Sequence, residues 1–230
     1  YGFVPYTLDS IDVLVGDVWL CSGQSNMKQP LREALNSETE IQNAAFPDIR
    51  HMDMPCVVSK VPLDNANTAW VVCSPQAAGS FSAVGYFFAR EIQQKVGVPV
   101  GIISASWAGS LIEPFIPAEG YMSLPVDVST VAARAWLDRI DISEREGQIT
   151  YEKRLAETPA SPVMKDFIRN EQSPCMKFNA MVNPLIPYAM RGILWYQGEA
   201  NARGGSAYVD KMKALILGWR KLWGDELPFY

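Results

Sequence analysis

The chain has 230 residues, 48% hydrophobic and 20% charged, which is enough apolar material for one large core and too much for a disordered or fibrous protein. Its 20 basic and 25 acidic residues leave a formal charge of -5 with no run of Lys and Arg, so nucleic acid is not expected as a partner. No apolar run nears the ~18 residues that a membrane helix requires, so no membrane partner is expected either.

In chain order, the sequence opens on Tyr1 without a signal-peptide pattern, and the expectation is that something upstream has been removed. Val18-Trp19-Leu20-Cys21 is a short apolar strand ended by Ser22-Gly23. The stretch around His51, the single histidine, reads as an edge strand or a connection before Pro55. Ser82 to Val96 is an amphipathic helix with Val84, Phe87, Phe88 and Ile92 at three- and four-residue spacing, closed by Gly97. Val98 to Ser104 is a second buried strand, rich in β-branched residues.

The charge-rich stretch from Asp127 to Glu157 predicts solvated helix, a helical insertion near 120–175 that continues through Pro159, Pro162 and Pro174 as a loop. Gly192 to Tyr196 is a third strand. A helix follows, with Tyr208, Met212, Leu215, Ile216, Trp219 and Leu222 on one face and Gly224 as its C-cap. Leu227-Pro228-Phe229-Tyr230 then opens a fourth strand, and the domain is expected to run on past it. Helices linking strands in this way are βαβ units, which predicts an α/β fold on a parallel sheet. Cys21, Cys56, Cys73 and Cys175 lack CxxC spacing and predict free, mostly buried thiols, although three pairings are open to them. His51 and Asp53 alone do not suggest a metal site.

In open α/β sheets ligands bind beyond the carboxyl ends of the strands, and here three polar, Gly-containing loops occupy those positions. Ser25 follows the first strand through Gly23 and Gln24, and a hydroxyl on so tight a turn is a nucleophile candidate; a Ser/Asn turn bonding its own backbone is the alternative. The motif is not the G-x-S-x-G elbow, since Met27 stands at the second glycine position. After the second strand, Ala108-Gly109 lets the backbone approach a substrate closely and could supply an oxyanion amide. Gln197, after the third, could add a side-chain donor; either could equally be a turn or strand-end residue. Glu199 could contact substrate hydroxyls or remain a solvated charge, and Trp107, Trp195 and Tyr196 could stack on a sugar or sit in the core. A serine nucleophile needs a base, and nothing around His51 places it at a strand end, so the base is expected to be missing from this chain.

Five ordered blocks carry a family resemblance. Asp17 to Met27, Phe81 to Arg90, Ser104 to Phe115, Phe178 to Leu185 and Gly192 to Asn201 resemble the sialate O-acetylesterases, carbohydrate esterases of the SGNH-hydrolase superfamily, from about Val13 to Tyr230. The resemblance implies a three-layer α/β/α fold with a flavodoxin-like parallel sheet, residues 1–230 forming a single SGNH-type esterase domain whose C-terminal part is absent. It implies a Ser-His-Asp esterase with Ser25 as nucleophile and with the Gly109 amide and the Gln197 side chain in the oxyanion hole. Gln24, Asn26, Trp107, Glu199 and Asn201 are the implied substrate-binding residues. The family's Asp-x-x-His block would lie downstream of Tyr230, so the missing C-terminal segment of the same protein is an expected partner, beside an acetylated carbohydrate. No metal or organic cofactor enters that chemistry. Ala108 departs from the family's Gly-Gly pair, which narrows the approach to that amide. Removal of acetyl groups from sugar hydroxyls follows, from sialic acid or in an acetyl xylan esterase, in a secreted, periplasmic or lysosomal setting. A carbohydrate-binding or inactive fragment is the alternative from another class.

Overall fold

The computed structural model describes residues 12–123, 149–150 and 171–230. Its strands are β1 (Asp17–Gly23), β2 (Phe46–Asp53), β3 (Val57–Val58), β4 (Val71–Cys73), β5 (Val100–Ser106), β6 (Ile149–Thr150) and β7 (Gly192–Tyr196). Its α-helices are α1 (Ser25–Lys28), α2 (Ser37–Gln42), α3 (Ala83–Val96), α4 (Ala118–Ser123) and α5 (Ala207–Trp223). Of the predicted helix over 127–157 only Ile149–Thr150 is described, and it is the strand β6 rather than helix; the rest of that span and the loop at Pro159 and Pro162 lie outside the described residues. None of the described helices is long and apolar enough to cross a membrane.

The main sheet has the order β4-β2-β5-β1-β7. β2, β5, β1 and β7 run parallel, whereas β4 joins β2 antiparallel at one edge. At the other edge Phe229 lies parallel to β7, with Tyr230 N–H donating to the Ile193 carbonyl at 2.9 Å. Val57 and Val58 pair with β6 in a separate two-stranded ribbon.

Alternation along β1 explains the layers. Trp19 and Cys21 pack with Ile102, Phe81 and Tyr86 on the side of α3, whereas Leu20 packs with Ile103, Ile193 and Trp219 on the side of α5. Both faces are therefore apolar, as a parallel sheet between two helical layers requires. The Ser82 hydroxyl accepts from Gly85 N–H at the start of α3, and Gly97 in the left-handed region ends it. All four cysteines are free thiols, with Cys56 the least buried.

The segment around His51 differs from its reading as an edge or a connection. It is β2, an interior strand of the sheet, paired on both sides. His51 sits level with Ile102 and Trp19, four residues short of the end of β1 at Gly23, or about 13 Å along a strand. Its ring stacks on Phe81 with centroids 4.5 Å apart, and among the described residues its buried Nε2 has no hydrogen-bond partner. Burial holds the imidazole down to about 4 against its ordinary 6.5, although the Asp53 charge opposes this. The folded chain thus binds fewer protons than the unfolded chain between those values. Stability from this group is complete above pH 6.5 and is lost as pH falls through about 4, a swing of about 3 kcal/mol. Urea midpoints at pH 7 and pH 4.5 are expected to differ less for His51→Leu than for the wild type; an equal difference would contradict this assignment.

Candidate active site

β1 ends between its two neighbours. Trp107 N–H donates to the Gly23 carbonyl at 3.0 Å from the β5 side, and Gln24 N–H donates to the Tyr196 carbonyl at 3.0 Å on the β7 side. Gly23 has φ +141°, and a Cβ there would lie 2.1 Å from the Tyr196 carbonyl oxygen, so only glycine lets the chain turn here. Ser25 then opens α1 with its side chain exposed. The first helical bond runs from Lys28 N–H to the Gln24 carbonyl, which leaves the Ser25, Asn26 and Met27 amides ahead of the ladder. Met27 is buried beneath, and the Ser82 hydroxyl donates to its carbonyl at 2.7 Å, tying the turn to the start of α3.

Beyond β5, Gly109 has φ +72° with open space where a side chain would be, and it is exposed. Among the described residues its N–H has no hydrogen-bond partner, while its carbonyl accepts from Gln172 Nε2 at 3.2 Å. Since Gly23 and Ser106 are level on adjacent strands, Ser25 and Gly109 emerge from neighbouring positions at the same end of the sheet.

Three carboxamides of these loops, Gln24, Gln197 and Asn201, bond within the protein. Gln197 Nε2 donates to the Ser110 carbonyl at 3.0 Å and to Asn201 Oδ1 at 2.7 Å, and its Oε1 accepts from the Tyr208 hydroxyl at 2.9 Å. Asn201 Oδ1 also accepts from Ile112 N–H, and its Nδ2 donates to Glu113. Gln24 Oε1 accepts from Ala200 N–H at 3.2 Å and Gly198 N–H at 3.4 Å. These carboxamides form a frame that fixes the loops after β1, β5 and β7 to one another.

Four of the residues singled out in the sequence are engaged within the protein in this arrangement. Both N–H bonds of the Gln197 carboxamide are engaged within the protein, so it is not a free oxyanion donor. Gln24 and Asn201 are buried and committed to the frame rather than turned toward a substrate. Trp107 is 4% exposed and packs in the core, with Lys177 Nζ 4.5 Å from its ring centroid. Asn26 and Glu199 do lie at the surface, joined by a 2.5 Å bond from Asn26 Nδ2 to Glu199 Oε1. Among the described residues no three His, Cys, Asp or Glu side chains gather as a metal site. Gln197→Ala is expected to lower the melting temperature together with activity, because three part-buried hydrogen bonds go with it; a loss of kcat at an unchanged melting temperature would support it as a donor.

Lys177 and Gln172 were not singled out by sequence reasoning, and Tyr208 was read only as part of the helix's packed face. A lone lysine inside the apolar run Cys175 to Val182 is the signal that could have drawn attention to the first of them.

No family model matches the chain. It is 28% identical to the sialate O-acetylesterase of Mus musculus over 247 residues, which cover 96% of this chain and 42% of that protein. It is 30% identical to that of Rattus norvegicus over 231 residues, or 94% of this chain and 41% of that protein. In sequence, the chain is a homologue of the sialate O-acetylesterases. It spans about two fifths of the length of the curated relatives it matches. A solved carbohydrate acetylesterase from Xanthomonas citri superimposes with a TM-score of 0.73 at 32% identity, over 95% of this chain and 41% of that one. The three-layer α/β arrangement is shared with that acetylesterase and is consistent with an SGNH-like fold.

Proposed function

We propose that the chain carries the nucleophile-bearing part of a carbohydrate O-acetylesterase. The observation that supports this most directly is the exposed Ser25 hydroxyl, at the first residue of a helix after β1, beside the uncommitted Gly109 amide. Ser25 Oγ attacks the acetyl carbonyl carbon, and the Ser25 and Gly109 amides hold the oxyanion that forms. The sugar oxygen leaves with a proton, and water then cleaves the acetyl-enzyme to acetate and free Ser25. Asn26 and Glu199 lie at the surface next to the nucleophile and contact the sugar. The names of the relatives support an acetylated carbohydrate as the substrate class, with O-acetylated sialic acid as the favoured member.

His51 is the chain's only histidine, and its position in mid-strand against Phe81 argues against it as the proton acceptor for Ser25. On this reading the proton acceptor for Ser25 is a group other than His51. The same observation favours the second reading, a sugar-binding or inactive unit. Acetate release from O-acetylated sialic acid and from acetylated xylan by the full-length protein separates them. Release supports the esterase and ranks the two sugars, whereas binding without release supports the second reading. A fluorophosphonate adduct located by mass spectrometry on Ser25 tests the nucleophile itself.

A further inference from the structure

The segment 171–182 touches the Gly109 loop at each of its three residues. Gln172 Nε2 donates to the Gly109 carbonyl, Leu111 N–H donates to Gln172 Oε1 at 2.9 Å, and between them Lys177 Nζ donates to Ser110 Oγ at 2.7 Å. Lys177 is 0% exposed and immediately precedes a π-helical turn, Phe178–Val182. Besides Ser110, its Nζ faces the rings of Trp107 at 4.5 Å and Phe115 at 5.9 Å. Among the described residues it makes no ion pair. Glu171 and Cys56 are the titratable groups whose charge reaches it, and one Glu171 oxygen is itself buried without a hydrogen-bond partner.

A wholly buried lysine is costly, because an ammonium group loses its water and here recovers one hydroxyl and two ring faces. Methionine would fill a similar volume without that cost. What lysine adds is a charge-assisted bond to the residue that follows Gly109. Gly109 lies in the left-handed region with open space where a Cβ would be, so the direction of its N–H is set by how its neighbours in the loop, Ser110 among them, are held. We propose that Lys177 is a positioning residue for the Gly109 amide, acting through Ser110 to aim that N–H at the oxyanion. This rests on the reading of Gly109 as an oxyanion donor. Such a role acts on kcat rather than KM, because the oxyanion exists only in the transition state. Burial also pushes the Lys177 amine well below the ordinary lysine range, the direction expected if its charge is a burden on the fold.

The test is acetyl ester kinetics of the full-length protein with Lys177→Met, Ser110→Ala, the two combined, and Ser110→Thr, each with its melting temperature. Lys177→Met and Ser110→Ala are each expected to lower kcat by about 10- to 100-fold, the cost of a slightly misplaced group, with KM within about twofold. The combined variant is expected to be no worse than either single one. Ser110→Thr, which keeps the hydroxyl, is expected to retain kcat within about threefold. Lys177→Met is expected to melt at or above the wild-type temperature, so activity and stability part company. A folded Lys177→Met with wild-type kcat, an effect on KM alone, additive losses, or a kcat loss that tracks a falling melting temperature in every variant would each overturn the proposal. Ser25→Ala in the same assay separates the two readings. If it is inactive while Lys177→Met is fully active, only the role of Lys177 falls; if it is active, the site itself falls.

Discussion

Ser25→Ala is expected to lower kcat for acetyl ester hydrolysis by the full-length protein by about 10⁵-fold or more, the scale set by nucleophile removal in serine hydrolases. The magnitude follows from the route: without Oγ no acetyl-enzyme forms, and only oxyanion stabilisation and binding remain to assist attack by water. The fold has no stake in the hydroxyl. Ser25 is exposed, and among the described residues no group bonds its Oγ, so the melting temperature is expected to stay within about a degree, as for surface substitutions generally. Loss of the fluorophosphonate adduct should accompany loss of turnover. A folded variant at the wild-type rate would remove Ser25 from the mechanism.

Gly23→Ala is expected to have the largest effect on the fold. Its methyl group would sit 2.1 Å from the Tyr196 carbonyl oxygen and 2.6 Å from the carbonyl carbon, and a backbone neighbour cannot step aside as a side chain can. The φ of +141° adds strain that alanine does not tolerate. A loss of more than about 4 kcal/mol is expected, in the range reserved for named structural faults. Relief requires β1 and β7 to separate where Gln24 N–H bonds the Tyr196 carbonyl, so Ser25 labelling is expected to fail as well. Gly109→Ala is the control: φ is +72° with open space around it, and only the left-handed penalty of about 1–2 kcal/mol applies. A Gly23→Ala protein with the urea midpoint of the wild type would contradict the described approach of the two strands.

The parallel part of the sheet was legible because both faces of β1, β5 and β7 are apolar and the helices between them carry a 3.6-residue period with glycine C-caps at Gly97 and Gly224. β4 was not legible. Val71-Val72-Cys73 is too short to show a period, and its place is set by pairing with β2 across many intervening residues. β2 was mistaken for an edge because Pro47, Asp48 and Arg50 are polar or strand-averse; Asp48 is exposed, while Arg50 reaches Asp12. At the site, chain position was readable and side-chain direction was not. The strand-end rule pointed to Ser25, Gly109 and Gln197 at one end of the sheet, yet Gln24 and Asn201 turn inward to accept from loop amides and Gln197 to donate to the Ser110 carbonyl. Carboxamides suit either task equally, so residue type alone does not choose between them.

The carboxamide frame divides the site into two populations of residues with different freedom to change. Gln24, Gln197 and Asn201 bind three loops into one piece, and any replacement among them disturbs all three at once. Asn26, Ala108 and Glu199 stand outside that lattice at the surface. Varying them exchanges what a substrate meets without reopening the question of whether the loops stay assembled. Directed evolution toward a different acetylated sugar would therefore find its accessible paths at Asn26, Ala108 and Glu199, with the frame serving as a fixed chassis on which the recognition surface is exchanged.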